Sequence, residues 1–441
     1  MEGYNWEKSE TFIKIPIRII LMRIIPRRIE RVQLGYYGWK MLYGRRKTGK
    51  TFIVRNFLEH DRYYFVNRDG TIMDWTDGRS LIYEDFWREF VEKLGKERVV
   101  IDEFHRLPDS FLDLLHAHSG TPDSEVILVT STLWLSMRLF KEKESPLLGI
   151  ALPVRIGLID EREILVELSK EVKGKELVEA STYLREPMLV PVYHPPLRDF
   201  LVSFLASSGP VIKDLVGEAF TEEEVFFSEV HQAVLHSIAD GKSKSGEIAG
   251  HLLNKGLLDS VSSIQKYLRV LSSMGLIRKM PIFGKRRRFR YSIASPLLDL
   301  HFYLEAKYAY TELETSVEFI RKAVDYKLPR HVEDFVADLL AKAHGLRRVS
   351  VELPELELDI ALQGFNRLEL VGEVKWKERV KRDEVRKIEE KLSRFDCHRV
   401  LVVPSEDVLE REPEGIEVLT PEDLLEIARE SLKKTLNMEH L

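Results

Sequence analysis

Residues 44–51 read GRRKTGKT, and the spacing G-x-x-x-x-G-K-T suits a phosphate. Gly44 and Gly49 let the chain curl until successive N–H groups face an oxyanion, with Arg45, Arg46, Lys47 and Thr48 forming the arc between them. Lys50 reaches the outer phosphates, and Thr51 offers a hydroxyl to Mg²⁺. The apolar run Trp39–Tyr43 reads as a strand entering the loop, and the residues after it as a helix whose positive dipole end adds to the attraction. About fifty residues later, RVVIDEF closes a second apolar strand on Asp102 and Glu103. A carboxylate at a strand tip holds Mg²⁺ through water, and its neighbour orients and deprotonates the attacking water. Two acids after a strand are also an ordinary way to begin a loop. The distance from the phosphate loop favours the chemical reading: a site for ATP and Mg²⁺, with Lys50, Asp102 and Glu103 as catalytic residues.

These side chains need a scaffold that brings strand ends together. From residue 36 to about 160 strand and helix patterns alternate. Strands are expected at 39–43, 62–66, 98–102, 125–130 and 152–157, and helices near 50–59, 81–94, 110–117 and 133–140. Such alternation builds an α/β unit with a parallel sheet covered on both faces, and ligands bind at the strand C-terminal ends. Both motifs lie at such ends. The strand 125–130 closes on Thr130, Ser131 and Thr132, which either sense the γ-phosphate or cap the next helix at Leu133. Arg138 and Arg155 are the nearby arginines to consider for a γ-phosphate contact.

The chain has 441 residues and a net charge of −5, so any basic surface must be local. Several domains are expected at this length. One cysteine, Cys397, excludes an intrachain disulfide framework and points to a cytoplasmic protein. Asn and Gln together number ten against 32% charged residues, a bias seen in proteins of hot-living organisms. No apolar run in the sequence reads as a membrane span. Residues 12–25 are apolar but interrupted by Lys14, Arg18 and Arg23, and read as an arm packed on the nucleotide-binding unit, with association at a membrane surface as the other reading.

Residues 225–293 read as helix, helix, helix and hairpin. Helices fall at 225–240 and 245–254, and a third begins at a Ser260 cap with Ile264, Tyr267, Leu268 and Leu271 on one face and Gly275 at its end. Strands 276–280 and 288–293 flank Phe283-Gly284. This is the pattern of a winged helix-turn-helix. Gln265, Lys266 and Arg269 point outward for a major groove. Arg278, Lys279, Lys285, Arg286, Arg287, Arg288 and Arg290 follow with no acid between them, a run suited to phosphates or to a solvated face.

A second chemical cluster follows Pro329. Glu333 lies on a helix over 331–340. Strands 357–362 and 368–376 bring Asp359 beside Glu373 and Lys375, which share a face because Val374 alternates between them. Two carboxylates and a lysine on one face suit Mg²⁺ or Mn²⁺ and a positioned hydrolytic water, with Asp359 and Glu373 as ligands. Alternating charges on an exposed sheet face are the plainer alternative. His344 and His398 lack any paired metal-ligand spacing.

YGRRKTGKT, VVIDEFHRLP and VILVTST, in this order and spacing, resemble the archaeal ATPase family of the AAA+/STAND group. Asp-x13-Glu-x-Lys resembles the PD-(D/E)xK nuclease fold, as found in the nuclease-like domain that closes many archaeal ATPases of this kind, and Glu333 matches that fold's helical acid. The resemblance implies an N-terminal arm (1–35), a P-loop ATPase core (36–160), a helical lid (161–222), a winged helix-turn-helix (223–299), a helical connector (300–328) and a nuclease-like domain (329–441). It implies an ATPase that engages DNA, with a metal-dependent nuclease domain and possible assembly with further copies of the chain. The alternative is a nucleotide-dependent switch or scaffold that recruits DNA or a protein without cutting.

Overall fold

The computed structural model describes residues 23–132, 149–222, 226–352 and 357–437. The arm's residues 1–22, the helix expected at 133–140 and Arg138 lie outside these. Helix α1 (Arg28–Gly35) precedes strand β1 (Lys40–Tyr43), α2 (Lys50–Phe57), β2 (Arg62–Val66), β3 (Ile72–Asp74), β4 (Arg79–Leu81), α3 (Tyr83–Lys93), β5 (Arg98–Asp102), α4 (Ser110–His118), β6 (Glu125–Thr130) and β7 (Leu152–Arg155). The seven strands form one sheet in the order β4-β3-β2-β5-β6-β1-β7. The five expected strands pair in parallel. Every residue of β5 and β6 after the first is buried, as a parallel sheet covered on both faces requires. One face packs Phe86, Phe90 and Phe111, and the other packs Ile53, Val54 and Val154. The edge pair β3–β4 is antiparallel. Three-residue strands are too short to show alternation, so the sequence pattern gives no sign of them.

Helices α5 (Glu161–Leu168), α6 (Gly174–Leu184) and α7 (Leu197–Glu222) follow the sheet. Among the described residues α7 is the one helix long and apolar enough to cross a membrane by length and composition, over Leu197–Thr221. It buries Leu201, Leu205, Ile212 and Val216 in the protein core. Next come α8 (Glu229–Ala239), α9 (Ser245–Asn254), α10 (Ile264–Ser273) and the antiparallel hairpin β8 (Ile277–Pro281) and β9 (Phe289–Ile293). Ile264, Leu268 and Leu271 form the buried stripe of α10. Ser260 does not cap it: a 3₁₀ turn, Val261–Ser263, intervenes, and the Ser260 side chain makes no cap bond to it.

The remaining elements are α11 (Pro296–Tyr308), α12 (Val317–His344), β10 (Arg347–Arg348), β11 (Ile360–Gln363), β12 (Leu368–Val374), α13 (Arg382–Leu392), β13 (His398–Val402), β14 (Glu417–Leu419) and α14 (Pro421–Asn437). The second sheet runs β10-β11-β12-β13-β14. β11 and β12 pair antiparallel, and β13 lies parallel to β12. In β12 a Cβ on Gly372 would sit 2.7 Å from the Val400 carbonyl oxygen, so glycine admits β13 at close range.

The break expected at Pro329 is absent: α12 passes through it for 28 residues. Proline removes one N–H from the ladder, but Val324, Leu328, Val332, Phe335 and Leu339 are buried on either side, and that packing keeps the axis continuous. One apolar core contains residues of α5–α7, α8–α10, α11, α12, the second sheet and α14.

Candidate functional site

The phosphate loop connects β1 to α2. Gly49 adopts φ +91° at the helix start, and Lys47 turns the loop with φ +64°. A Cβ on Gly44 would lie 2.0 Å from the carbonyl oxygen of Ile156, backbone that has little room to yield. Gly44→Ala is therefore expected to lower stability by about 1–3 kcal/mol through overpacking and to weaken nucleotide binding. Thermal unfolding and nucleotide titration check this, and unchanged values for both would show that the β1–β7 edge yields.

Lys50 is buried, and its ammonium donates to Gly44 O at 2.7 Å and Arg45 O at 3.1 Å. Thr51 donates its hydroxyl to Asp102 Oδ2 at 2.8 Å. Tyr63 donates to the same oxygen at 2.5 Å. Burial raises the Asp102 carboxyl above its ordinary range, with Glu103 adding to the effect and the Tyr63 and Thr51 hydroxyls opposing it. Glu103 takes a left-handed backbone, φ +57°, and accepts from Ser131 Oγ at 2.9 Å. Thr130 meets His105 Nδ1 at 2.9 Å and Thr132 Oγ1 at 2.8 Å. The three strand tips therefore converge on the loop, as their spacing in the sequence predicts. A hydroxyl and a carboxylate already in contact are a donor set that Mg²⁺ fits.

Lys47, Gly49, Lys50, Thr51 and Glu103 open onto a cleft of about 780 Å³. Its apolar wall includes Ile24, Ile25, Ile159, Pro187 and Val190, a surface suited to a nucleobase. Several of its residues have no motif to announce them. Arg27, almost fully buried, donates to Thr48 O at 3.4 Å and Gly157 O at 3.1 Å. Arg106 lines the cleft with Glu103 and donates to Val66 O at 2.8 Å. Its place three residues after Glu103 is a signal the sequence held. Arg155 is exposed at the end of the edge strand β7 and does not line the cleft. Arg45 pairs with buried Glu186 at 2.5 Å, and Arg46 with Glu218 at 3.0 Å. Both loop arginines are thus held by the helical segment after the sheet.

Gln265, Lys266 and Arg269 are exposed on α10, and Lys279, Arg286, Arg287 and Arg288 on the hairpin. Gln265, Arg269, Lys279, Arg287 and Arg288 line one groove of about 640 Å³. The rest of the basic run is engaged. Arg278 lies between Asp334, at 2.8 Å, and Asp338 of α12. Lys285 pairs with Glu352 at 2.7 Å and Arg290 with Glu357 at 2.5 Å. Lys285 and Arg290 thus meet carboxylates where the sequence reading turned them to phosphates: acids absent from the run itself arrive from residues 334–357. The hairpin is also stitched to that segment by backbone bonds, Phe283 N to Ser350 O at 2.8 Å and Ser350 N to Pro281 O at 2.9 Å.

In the second sheet Lys375 donates to Glu373 Oε2 at 2.8 Å and Asp359 Oδ2 at 3.4 Å. Val374 N also donates to Asp359, at 2.9 Å. Lys391, from α13, completes the pairing of Glu373, and nothing in the sequence marked it. Burial works against the charge of Lys375, but Asp359 and Glu373 hold its pKa above the ordinary value. Burial first, and then Asp359, pushes Glu333 up to about 8. Among the described residues no group of three or more His, Cys, Asp or Glu is placed to hold a metal ion. Glu333 therefore does not complete a triad with Asp359 and Glu373. Two carboxylates converging on one ammonium group still fit Mg²⁺, which binds through one or two carboxylates and water. Trp376, the next residue, donates to Glu179 of α6 at 3.0 Å in a buried contact.

The fold is similar to that of the Walker-type ATPase PABY2304 of Pyrococcus abyssi, at 18% identity and a TM-score of 0.43, covering 63% of this chain and 96% of that one. It is also similar to the Aeropyrum pernix ORC2 protein in its ADPNP–ADP complexes, at 15% identity and a TM-score of 0.36, covering 73% and 96%. For the Aeropyrum pernix ORC1 protein in complex with DNA the values are 14%, 0.27, 68% and 97%. No curated protein sequence matches. Residues 37–165 match the family profile described as an AAA domain. The phosphate loop, Asp102, Glu103 and Ser131 all fall within those residues, which form an AAA-type P-loop domain.

Proposed function

We propose that the protein is an ATP-hydrolysing ATPase whose nucleotide state acts on a DNA-engaging helix-and-hairpin unit and on a metal-dependent, nuclease-like second sheet. The carrying observation is the contact of Thr51 with Asp102, 2.8 Å, beside a cleft lined by Lys50 and Glu103. Lys50 would bind the outer phosphates. Glu103, held by Ser131, would orient water and take its proton. Mg²⁺ held by Thr51, and through water by Asp102, would neutralise charge on the phosphates. Arg106 supplies a cation beside Glu103, where negative charge grows. The test is steady-state release of phosphate from ATP with Mg²⁺. Tight nucleotide binding without turnover would favour the alternative of a switch or scaffold. The engaged loop arginines, Arg45 and Arg46, support that second reading.

DNA engagement rests on Gln265, Lys266 and Arg269 of α10 and on the exposed Arg286, Arg287 and Arg288. Replacing these three arginines by alanine is expected to weaken DNA binding uniformly across sequences. Each lost phosphate contact should flatten the log-affinity against log-salt slope by about 0.9 on duplex. An unchanged slope would assign the run to solvent or to a protein partner. Cleavage rests on Asp359, Glu373 and Lys375. The order helix, three strands, helix, strand through α12, β10–β12, α13 and β13 supports the resemblance to PD-(D/E)xK nucleases.

A further inference from the structure

Glu352 lies in the groove between α10 and the hairpin, together with Gln265, Arg269, Lys279, Arg287 and Arg288. Its carboxylate faces three cations from two separate stretches of chain. Lys285 Nζ, on the hairpin, lies 2.7 Å from Oε2. Lys244 Nζ, at the start of α9, lies 3.0 Å from Oε1, and Arg290 Nε 3.9 Å from the same atom. Oε1 is buried without a well-formed hydrogen bond. Lys285 first and then the Lys244 ammonium hold Glu352 well below the usual carboxylate range, so it is ionised at neutral pH. The residue is anchored two positions from Ser350, which pairs by backbone bonds with Pro281 and Phe283.

Arg290 is also held by Glu357, at 2.5 Å, so Glu352 is shared chiefly by Lys285 and Lys244, two cations on one carboxylate and a poor match in charge. A backbone phosphate beside each cation would give each its own charge-assisted bond. The remaining cations of the groove, Arg269, Lys279, Arg287 and Arg288, extend the positive surface beyond Glu352. A regular duplex presents phosphates along both rims of such a groove while its bases face Gln265 and Arg269.

We propose that Glu352 is a built-in occupant of a duplex-DNA phosphate groove, holding Lys244, Lys285 and Arg290 until a DNA backbone displaces it. The inference rests on the proposed DNA engagement and adds that the free protein binds duplex below the capacity of its cations. Displacement frees the hairpin's charge from residue 352.

The experiment compares the full chain with its Glu352→Gln and Glu352→Asp variants, titrating a fluorescent duplex from 0.05 to 1 M salt. Glu352→Gln keeps the side chain's shape and removes its charge. Its log-affinity against log-salt slope should steepen by about 1 to 2.7, the release expected for one to three new phosphate contacts. If the two proteins converge at 1 M salt, this is about ten- to 500-fold tighter binding at 0.1 M. Glu352→Asp should behave as the parent, and ATP turnover with thermal unfolding should show both variants folded. A folded Glu352→Gln protein with the parent's slope and affinity would overturn the inference and leave DNA binding standing. A gain confined to single strands would overturn the duplex assignment. No binding of duplex by any of the three proteins would overturn the DNA reading itself and the inference with it.

Discussion

Lys50→Ala is expected to abolish nucleotide binding, and Glu103→Gln to keep binding while ending turnover. The two side chains do different work in one cleft. Lys50 is buried with its ammonium on the carbonyls of Gly44 and Arg45. Its removal leaves those carbonyls without a donor and the phosphates without their cation. Glu103→Gln keeps an oxygen that can accept from Ser131, so the strand tip keeps its shape. The variant loses only the ability to take a proton. One lost general base typically costs a factor of about 10²–10⁴. Binding is read with a fluorescent nucleotide and turnover by phosphate release. Equal turnover by the parent and Glu103→Gln would remove Glu103 from the role.

Asp359→Ala is expected to abolish both divalent-ion binding and DNA cleavage, whereas Lys375→Ala should end cleavage and leave ion binding intact. Asp359 and Glu373 share the Lys375 ammonium, and Glu373 also holds Lys391. A divalent ion competes with these lysines for the same oxygens. Removing Lys375 takes away one competitor, so Mn²⁺ affinity should hold or rise. Cleavage, which would use that charge to position water or to steady the reacting phosphate, should fall by about 10²–10⁴. Calorimetry with Mn²⁺ beside a cleavage assay on single-stranded, branched and duplex DNA separates the two effects. No uptake of Mn²⁺ by the parent, and no cutting of any substrate, would leave the second sheet as a binding fold.

The P-loop unit was legible because its chemistry and its scaffold use the same short stretches of chain. Buried strands such as Val99-Val100-Ile101 advertise themselves as apolar runs, and the candidate site residues sit where those runs stop. Helix α10 was legible for a similar reason, a buried stripe at helical spacing. What pattern could not reveal was long-range pairing. A basic run without acids reads as free charge, yet Arg278, Lys285 and Arg290 meet Asp338, Glu352 and Glu357 from 60 or more positions away. Proline likewise reads as a break, and only the packing on both sides of α12 explains why Pro329 is not one. Lys391 and Arg27 belong to the same class: each is placed by tertiary contacts that no local spacing encodes.

Helix α6 and the residues just after it touch both candidate sites. Glu179 within it bonds Trp376, beside Lys375, and Glu186 just beyond its end bonds Arg45 of the phosphate loop. The two glutamates are seven residues apart, the first inside the helix and the second two residues past its last turn. A side chain bound to the phosphate loop and one bound to the lysine strand thus ride on the same short segment. Thermodynamic linkage then imposes a symmetry on the molecule. If nucleotide changes the second sheet's affinity for a divalent ion by some factor, that ion changes nucleotide affinity by the same factor. Mn²⁺ titrated into a variant that cannot hold Mg²⁺ at Thr51 would therefore read out, as altered nucleotide affinity, an event on the far side of α6.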